Sequence, residues 1–455
     1  MSRPKKNQTP AEPPVKHSRQ NHKIQTLKGF KDVLPEQQKF WNFVFEKVKD
    51  TADDYSFQKI DTPILESASL FQRTLGEETD IVGKEMYTFT DKSGELVTLR
   101  PEMTAPVARA YIEHGMVSWP QPVKLWYWAS LYRHENPQAG RYREHHQFGY
   151  EILGGKEPTL DAELVIIAYG LYKSFGLEPE IEINSIGCQS CRKEYIKLLK
   201  KYFKDKKVCE TCTNRLEKNP LRVLDCKENK CQENLKSAPQ IIDYLCEDCK
   251  NHFVRLLEIL DENSITYNLN PYLVRGLDYY NGTVFEIFVK GNDESRIALG
   301  GGGRYDYLIE QIGGRATPAL GFAGGVERVV IKLKELGLEI KDEGHGDVFV
   351  AQLGDEARKK CMKLFNELRK QSIKTREAFN KKGLTEQLEI ANRLKVKYAL
   401  ILGQKEIMEG TIIIRDMDSG VQEIIDFDKV IPEVKKRLLG LNGLKVYSEN
   451  RITDN

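Results

Sequence analysis

Arginine side chains cluster around one polar segment of the sequence, where their type and spacing could hold a phosphate group. Arg133 precedes a loop that contains Asn136 and Pro137, and Arg141 and Arg143 follow that loop. Each guanidinium offers a planar fork of donors that matches phosphate oxygens. A charged hairpin in water would carry the same residue types, so other segments must decide between these two interpretations.

The residues after the loop alternate with the period of a β-strand. Arg143, His145, Gln147, Gly149 and Glu151 fall on one face, and the other face carries the apolar side chains of Phe148, Tyr150 and Ile152. A row of Arg, Gln and Glu on one face is not typical of a core strand. The pattern predicts either a solvated outer face or the polar floor of a substrate site.

Four further segments contain side chains that could bind a ligand, or glycines that allow a close approach to the backbone. They are LRPEMTAP at 99–106, LVRGLDYYNGTVFE at 273–286, LGGGGRYD at 299–306 and GFAGGVERVV at 321–330. Four consecutive glycines let a ligand or a neighbouring strand approach the backbone closely. The Gly-Lys-Ser/Thr ending of a P-loop and the spacing of a dinucleotide fingerprint are both missing. Together the segments predict a nucleotide-phosphate site that arginines build on an antiparallel sheet.

Eight of the nine cysteines form four close pairs between 188 and 249. The pairs are Cys188/Cys191, Cys209/Cys212, Cys226/Cys231 and Cys246/Cys249. Three of them have the C-x-x-C spacing that lets two thiolates bind one tetrahedral metal, so eight ligands predict two structural zinc sites. Ordinary reduced thiols and other cysteine chemistry are the alternatives, and the spacing does not decide which pairs combine. Cys361 stands alone and is predicted to be a buried small apolar residue.

Composition limits the possible classes of protein. The chain has 455 residues, of which 40% are hydrophobic, and a net charge of +2, so we expect two or three globular domains. The near-neutral total argues against a DNA-coating protein, no apolar run suits a membrane span, and the N-terminus lacks a secretion signal, which predicts a cytoplasmic protein. Residues 1–24, 188–255 and 345–455 carry +5, +6 and +4, whereas the remainder carries −13.

Several elements must position these residues. Apolar spacing predicts helices over 36–52, 102–112 and 160–174. Ser56 to Ile64 is predicted to be a short strand, in which Pro63 suits a sheet edge or a strand end. After a linker at 344–347, strands and helices alternate as in a small α/β module. Its predicted strands are Val348–Leu353, Tyr398–Leu402 and Thr411–Arg415, and its predicted helices are Asp355–Gln371, Leu384–Leu394 and Asp428–Leu438.

The segments around the arginines resemble the three signature motifs of class II aminoacyl-tRNA synthetases. LVRGLDYY and GGGRYD resemble the pair that is specific to histidyl-tRNA synthetases, and YRHENPQAGRYREHHQFGYE at 132–151 is similar to the second motif of that family. GLTEQLEIANRL and ALILGQKEI resemble the family's anticodon-binding domain. The resemblance covers about residues 25–440.

The resemblance implies a fold class and a division into domains. We expect an α+β catalytic domain on an antiparallel sheet at 25–343, a cysteine-rich insertion at 188–262 and a C-terminal α/β anticodon-binding domain at 344–455. Residues 1–24 are predicted to be a disordered basic tail. The family also implies a homodimer, with the first motif, at about 54–66, at its interface.

The implied reaction joins histidine to tRNA by way of a histidyl-adenylate, with ATP and Mg²⁺. On the ATP side the resemblance implies that Arg133 and Arg275 hold the α-phosphate from opposite sides and that Arg328 holds the γ-phosphate. Arg141 is expected to assist at the pyrophosphate, and Glu135 to fix the adenine or a Mg²⁺. His145 replaces the aromatic residue that usually stacks on adenine, and Asn136 replaces a common arginine.

For the amino acid, the resemblance implies two groups of residues. Glu102, Thr104 and Gln147 are expected to receive the α-amino group, and Glu151 and Tyr280, with Tyr279 nearby, to recognise the imidazole. A carboxylate and a phenol suit a ring with one donor and one acceptor nitrogen.

Three rival assignments are weighed against this one. A catalytically silent regulatory subunit of ATP phosphoribosyltransferase shares the fold, but that family typically lacks the C-terminal module and loses the arginines. A class II synthetase for another amino acid would not carry LVRGLDYY. A zinc-stabilised RNA-binding protein without activity would not need intact phosphate-binding motifs.

Overall fold

The computed structural model describes residues 23–76, 79, 81–137, 140–289, 297–340 and 347–449, with side chains as far as residue 439. Within these ranges no helix has the length and apolar character that a membrane crossing requires. The predicted N-terminal tail lies outside the described residues except for its last two positions, and the predicted linker lies outside except for Asp347. The chain divides into two compact units, Met1–Glu339 and Ile340–Asn455.

The first unit alternates short strands with helices. In chain order its elements are α1 Pro35–Asp54, β1 Gln58–Lys59, β2 Leu65–Ser67, α2 Ala68–Leu75, β3 Tyr87–Thr90, β4 Leu96–Leu99, α3 Thr104–Glu113, β5 Val123–Tyr132, β6 Glu144–Leu153, α4 Pro158–Ser174, β7 Pro179–Ser185, α5 Gln189–Phe203, α6 Glu210–Lys218, α7 Asn229–Leu235, α8 Glu247–Glu262, β8 Tyr267–Leu269, β9 Asn281–Val289, β10 Gly300–Arg304, α9 Leu308–Gln311, β11 Ala319–Gly325 and α10 Val326–Glu335.

An eight-stranded sheet in the order β1-β5-β6-β11-β10-β9-β7-β8 forms the floor of this unit. Every neighbouring pair is antiparallel except the two edge pairs, β1 with β5 and β7 with β8. The expected antiparallel sheet is therefore confirmed. Of the segments quoted for their chemistry, those at 132–151, 273–286, 299–306 and 321–330 contribute the central strands β6, β9, β10 and β11, whereas 99–106 joins β4 to α3.

The alternation predicted for β6 is also confirmed. Phe148, Tyr150 and Ile152 are fully buried on the face covered by helices, where the Tyr150 hydroxyl donates to the Val48 carbonyl of α1 at 2.7 Å. Apolar burial on that face holds the helices against the sheet and leaves the opposite face free to carry polar side chains.

Arg304, at the end of the glycine-rich strand β10, is a structural residue. Its side chain is buried and its Nη2 donates to Asp161 of α4 at 2.6 Å. His252 of α8 contacts the same carboxylate at 3.1 Å. This network ties the strand to the helix before the insertion and to the last helix of the insertion.

The predicted edge strand from Ser56 to Ile64 is wrong in its extent. The structure has the two-residue strand β1, a stretch without regular structure over 60–64, and then β2, which belongs to a separate three-stranded sheet with β3 and β4. Pro63 lies between the two strands and has no N–H to donate to a ladder, which is consistent with the break in pairing between the two sheets.

The cysteine-rich insertion between β7 and β8 is mainly helical. Helices α5 to α8 bury Tyr195, Leu199 and Phe203 of α5 together with Cys212 and Cys231, in a core that continues into the catalytic domain. The Tyr195 hydroxyl donates to the Pro239 carbonyl at 2.7 Å. Cross-links through the cysteines would add to the stability of this packing.

The second unit is the predicted α/β module. Its elements are β12 Val348–Gln352, α11 Asp355–Lys370, β13 Thr375–Glu377, α12 Leu384–Arg393, β14 Tyr398–Leu402, α13 Gln404–Glu409, β15 Thr411–Asp416, β16 Gln422–Asp426 and α14 Val430–Glu449. The sheet order is β13-β12-β14-β15-β16. All six predicted elements are present, and the sequence prediction missed the short elements β13, α13 and β16. Cys361 of α11 is fully buried, as predicted, and burial raises the pKa of its thiol to about 12.

Candidate active site

A cavity of about 350 Å³ opens on the polar face of the main sheet. Its wall comes from the end of β5, the following loop, β6, the segment before α3, the 273–280 loop, β10, and the β11–α10 junction. Eleven of the twelve predicted site residues line it: Glu102, Thr104, Arg133, Glu135, Arg141, His145, Gln147, Arg275, Tyr279, Tyr280 and Arg328. These residues come from segments far apart in sequence, so their convergence is a property of the fold.

Three arginines face one another on the side of the loop after β5. The Arg133 Nε donates to the Pro101 carbonyl at 2.8 Å, and the Arg328 Nη1 donates to the Ala298 carbonyl at 2.7 Å. Glu135 lies between Arg133 and Arg141, at 3.8 and 3.9 Å. Burial and the like charge of Arg141 lower the pKa of Arg328. The arrangement has more positive than negative charge, which suits a polyphosphate.

Arg275 approaches the cavity from the opposite wall. Its guanidinium forms an ion pair with Glu286 of β9, lies 5.6 Å from the centre of the Tyr280 ring, and leaves a buried Nε without a partner among the described residues. Burial alone would lower the pKa of Arg275, but Tyr280 and Glu286 raise it. An added Cβ on Gly301 would lie 2.8 Å from Nη1, so the glycine run of β10 leaves room for this side chain.

His145 presents a neutral ring to the cavity. Burial, together with the positive charges of Arg133 and Arg328, lowers the pKa of His145 to about 3. An uncharged imidazole beside two guanidinium groups can stack on an aromatic base without adding to their repulsion. The next residue along β6, His146, points elsewhere and contacts Glu327 at 2.8 Å.

Glu102 and Thr104 form the wall at the start of α3. The Glu102 carboxylate accepts from the N–H groups of Thr104 and Ala105, both at 2.8 Å, and the Tyr279 hydroxyl lies 3.4 Å away. Burial raises the pKa of Glu102, and the two backbone donors oppose that rise. A carboxylate in this position can accept a hydrogen bond from an ammonium group in the cavity.

Glu151 is the predicted site residue that does not line the cavity. It is 1% exposed, and its Oε1 accepts from the Thr104 hydroxyl at 2.9 Å, so Thr104 separates it from the cavity. The Tyr305 hydroxyl donates to its other oxygen. Burial raises the pKa of Glu151 to about 8, although both hydroxyl donors act to lower it. The carboxyl group is therefore mostly protonated at neutral pH.

Comparisons with known proteins match the chain to the family that its sequence motifs resemble. The family profile described as histidyl-tRNA synthetase matches residues 29–329, and the profile of an anticodon-binding domain matches 347–437. A histidine–tRNA ligase of Dehalococcoides mccartyi is 46% identical over 417 residues, which cover 91% of this chain and all of the relative. The chain belongs to the histidyl-tRNA synthetase family.

Other relatives extend the match. A histidine–tRNA ligase of Clostridium botulinum is 44% identical over 415 residues, covering 90% of this chain and 99% of the relative. The crystal structure of apo histidyl-tRNA synthetase from S. aureus is 35% identical, has a TM-score of 0.78, and covers 91% of this chain and all of that chain. The expected class II catalytic fold and C-terminal anticodon-binding domain are thus confirmed.

The motif comparison missed several residues that the structure places at the site. Glu286 and Asp225 line the cavity beside Arg275, and Tyr305 is bonded to Glu151. Tyr305 and Glu286 stand inside quoted motifs, GGGGRYD and NGTVFE, so their position could have suggested a role. Asp225 belongs to the insertion and is next to Cys226, and nothing in its sequence context indicates the cavity.

The eight paired cysteines form two clusters of four. Cys188, Cys191, Cys246 and Cys249 make the outer cluster, and Cys209, Cys212, Cys226 and Cys231 make the inner cluster. Within each cluster all four sulfur atoms lie within 4.8 Å of one another, and all nine cysteines are free thiols. The sequence left open which pairs combine. In the structure the Cys188/Cys191 pair combines with Cys246/Cys249, and the Cys209/Cys212 pair combines with Cys226/Cys231.

The spacing of the sulfur atoms fits one tetrahedral ion in each cluster. Four thiolates at about 2.3 Å from zinc stand about 3.8 Å apart. The Sγ atoms of Cys188 and Cys191 are 3.6 Å apart, and those of Cys209 and Cys226 are 3.8 Å apart. Backbone N–H groups also donate to the sulfurs, from Cys246 to Cys191 at 3.1 Å and from Cys209 to Cys231 at 3.2 Å. Such donors stabilise thiolate charge around a metal.

Replacing Glu151 with glutamine should change how stability depends on pH. The folded chain keeps the Glu151 proton up to about pH 8, whereas the unfolded chain loses it near 4.5. The contribution of the parent residue to stability is therefore present below pH 4.5 and falls as pH rises to 8, by a few kcal/mol at most. We expect the melting temperature of Glu151→Gln, relative to the parent, to rise between pH 5 and 8. A difference in melting temperature between Glu151→Gln and the parent that is the same at pH 5 and pH 8 would contradict this.

Proposed function

We propose that the chain attaches histidine to its tRNA in two steps, forming histidyl-adenylate from histidine and ATP and then transferring the histidyl group to the terminal adenosine. The observation that carries the proposal is the convergence of Arg133, Arg275 and Arg328 with polar amino-acid-binding residues on one cavity. Membership of the histidyl-tRNA synthetase family points to the same reaction. The purified chain should move label from pyrophosphate into ATP when histidine is supplied.

In the first step the histidine carboxylate attacks the α-phosphorus of ATP, an O–P bond forms, and pyrophosphate leaves with the electrons of the broken bond. No side chain has to transfer a proton, so catalysis depends on alignment and on stabilising negative charge on the phosphoryl oxygens. Arg133 and Arg275 come from opposite walls and act on the α-phosphate. Arg328 holds the γ-phosphate, and Arg141, which is the more exposed, assists at the pyrophosphate.

The remaining residues of the ATP side orient the nucleotide. The neutral ring of His145 stacks on adenine, in keeping with its lowered pKa. Mg²⁺ would neutralise part of the triphosphate charge when bound. Glu135 lines the cavity beside Arg133, and we expect it to contact either that ion or the adenine.

On the amino-acid side, the polar end of the cavity fits histidine. Glu102, Thr104 and Gln147 receive the α-amino group, and Tyr279, Tyr280 and Glu151 recognise the imidazole. Glu151 lies directly behind Thr104, so a ligand that displaces the Thr104 hydroxyl meets a carboxyl group that can donate or accept. A site of this kind rejects amino acids without matching polar atoms by about 10⁴-fold in comparable enzymes.

Each cysteine cluster binds one structural zinc ion in this proposal. Four thiolates with near-tetrahedral spacing and backbone donors fit zinc better than a redox pair. Reduced cysteines in this number also fit the cytoplasm as the place of action. The metal would stabilise the insertion by linking its helices.

The tRNA contacts two parts of the chain. The anticodon-binding domain over 347–437 carries the C-terminal excess of positive charge, and the insertion carries a second excess, which favours a phosphate backbone. Catalytic residues that a silent regulatory subunit would not need are all in place, which favours the synthetase over that alternative.

A homodimer is part of the proposal. The small sheet of β2, β3 and β4 exposes Ile64, Leu65, Phe89 and Leu96, each between 42% and 50%. Ile64 and Leu65 lie within the first motif, and exposed apolar side chains of this kind favour a subunit contact. Sedimentation of the full chain at the 52.3 kDa mass of one copy would contradict it.

A further inference from the structure

The 273–280 loop contributes three of the predicted site residues that line the cavity. It carries Arg275, Tyr279 and Tyr280, yet it has no helix or strand of its own between β8 and β9. One end is tied to the catalytic domain, where the Asn184 Nδ2 donates to the Leu273 carbonyl at 3.0 Å. A loop without a hydrogen-bond ladder must be fixed by side chains from neighbouring elements.

The insertion supplies those side chains. The Arg192 Nη1 donates to the Tyr280 carbonyl at 2.7 Å, and the Asn219 Nδ2 donates to the Asp278 Oδ1 at 2.6 Å. Arg222 lies so close to Gly276 that a Cβ there would be 3.1 Å from its Nη1. The contacts are spaced along the second half of the loop and therefore fix its course on both sides of Asp278.

The contact is centred on the carboxylate of Asp278. Asp278 is largely buried, which raises its pKa, while Asn219, Arg192 and Arg222 act to lower it. One carboxylate thus faces two guanidinium groups and one amide. Loss of any of these partners would leave a buried polar group of this contact unsatisfied and loosen the hold of the insertion on the loop.

Each contact comes from a chain segment held by a cysteine cluster. Arg192 directly follows Cys191 of the outer cluster. Asn219 and Arg222 lie between Cys212 and Cys226 of the inner cluster. Asp225, also in that stretch, lines the cavity next to Arg275 and Glu286. The two clusters fix the ends of the segments that hold the loop.

We propose that Arg192 and Asn219 are positioning residues for the 273–280 loop. Through them the metal-bound insertion holds Arg275, Tyr279 and Tyr280 in place for adenylate formation. This inference rests on the proposed function. It makes the insertion part of the active-site support, in addition to any contact it makes with tRNA. ATP itself is bound mainly by Arg133 and Arg328, which the insertion does not hold.

The test compares Asn219→Ala with Glu217→Gln, a change at an exposed position on the same helix end. For Asn219→Ala we expect the KM for histidine in pyrophosphate exchange to rise about tenfold or more, with the KM for ATP within about threefold. Zinc per chain should match the parent, and the melting temperature should stay within a few degrees of it. Asn219→Asp, which sets a second carboxylate against Asp278, should raise the KM for histidine further.

A measurement that does not depend on activity separates this inference from the proposed function. Hydrogen–deuterium exchange of peptides covering 273–280 should be faster in Asn219→Ala than in the parent or Glu217→Gln. Unchanged exchange in the loop would overturn the inference, as would a KM for histidine within twofold of the parent. A fall in apparent kcat that only follows a lower melting temperature would show simple destabilisation and would overturn it too. Failure of the parent to activate histidine would overturn the proposed function, while the loop exchange would still decide the positioning role.

Discussion

Replacing Arg275 with alanine should reduce histidine-dependent pyrophosphate exchange by about 10³-fold or more, since arginines that act on a transferring phosphoryl group contribute factors of this size. Arg275 is the cationic side chain that enters the cavity from the wall opposite Arg133, and its guanidinium has a buried, unpaired Nε aimed at no other described group. In the free chain its Nη1 is paired with Glu286, which keeps the fork oriented until the phosphate arrives.

Two control variants sharpen this prediction. Arg275→Lys keeps the charge but loses the planar fork, so we expect an activity between those of the alanine variant and the parent. Arg141→Ala removes a side chain that is 53% exposed at the rim of the same cavity, and its effect should be tens of times smaller. Zinc content should be unchanged in all three. Exchange by Arg275→Ala within a few-fold of the parent, in a folded protein, would refute the role assigned to this residue.

Removal of one cysteine ligand should remove one metal ion. The purified chain is expected to hold two zinc ions, and Cys231→Ser should hold about one, because a three-thiolate site with a weak fourth ligand loses much of its affinity. Cys231 is fully buried in the inner cluster, and its sulfur accepts from the Cys209 N–H at 3.2 Å. The insertion of this variant should unfold at a lower temperature than that of the parent.

Cys361→Ala is the matched control, because Cys361 is also a fully buried cysteine but lies in the second unit and outside both clusters. It should keep two zinc ions. Metal analysis that finds well under one zinc in the parent chain would contradict the assignment of both clusters. Equal zinc content in Cys231→Ser and the parent would contradict the assignment of the inner cluster.

The sequence alone was enough to predict the antiparallel sheet, the alternation along β6 and the α/β module. Each depends on local periodicity or on motifs whose residues are adjacent in the chain. The cluster of Arg133, Arg275 and Arg328 could be predicted from family resemblance, and the structure places all three on one cavity. Their individual roles stay predictions until the variants are measured.

Other features depend on contacts between distant segments. The cysteine spacing could not decide which pairs combine, because that depends on how α5 to α8 fold back on each other. Asp225 and Asn219 reach the 273–280 loop only through the same folding, so no local pattern marks them. The strand expected over Ser56 to Ile64 is only two residues long, because the chain leaves the main sheet after Lys59 and enters a different sheet at Leu65, which propensity within one segment does not reveal.

The most direct test of the central claim is amino-acid-dependent exchange of labelled pyrophosphate into ATP by the full chain, with each of the twenty amino acids in turn. Exchange needs the adenylate step alone, so it reports on the cavity without requiring tRNA. We predict exchange with histidine, and rates with the other nineteen that are lower by about 10⁴-fold or more. Exchange supported by a different amino acid would contradict the substrate assignment, and no exchange with any of them would contradict the account of the cavity as a site of histidine activation.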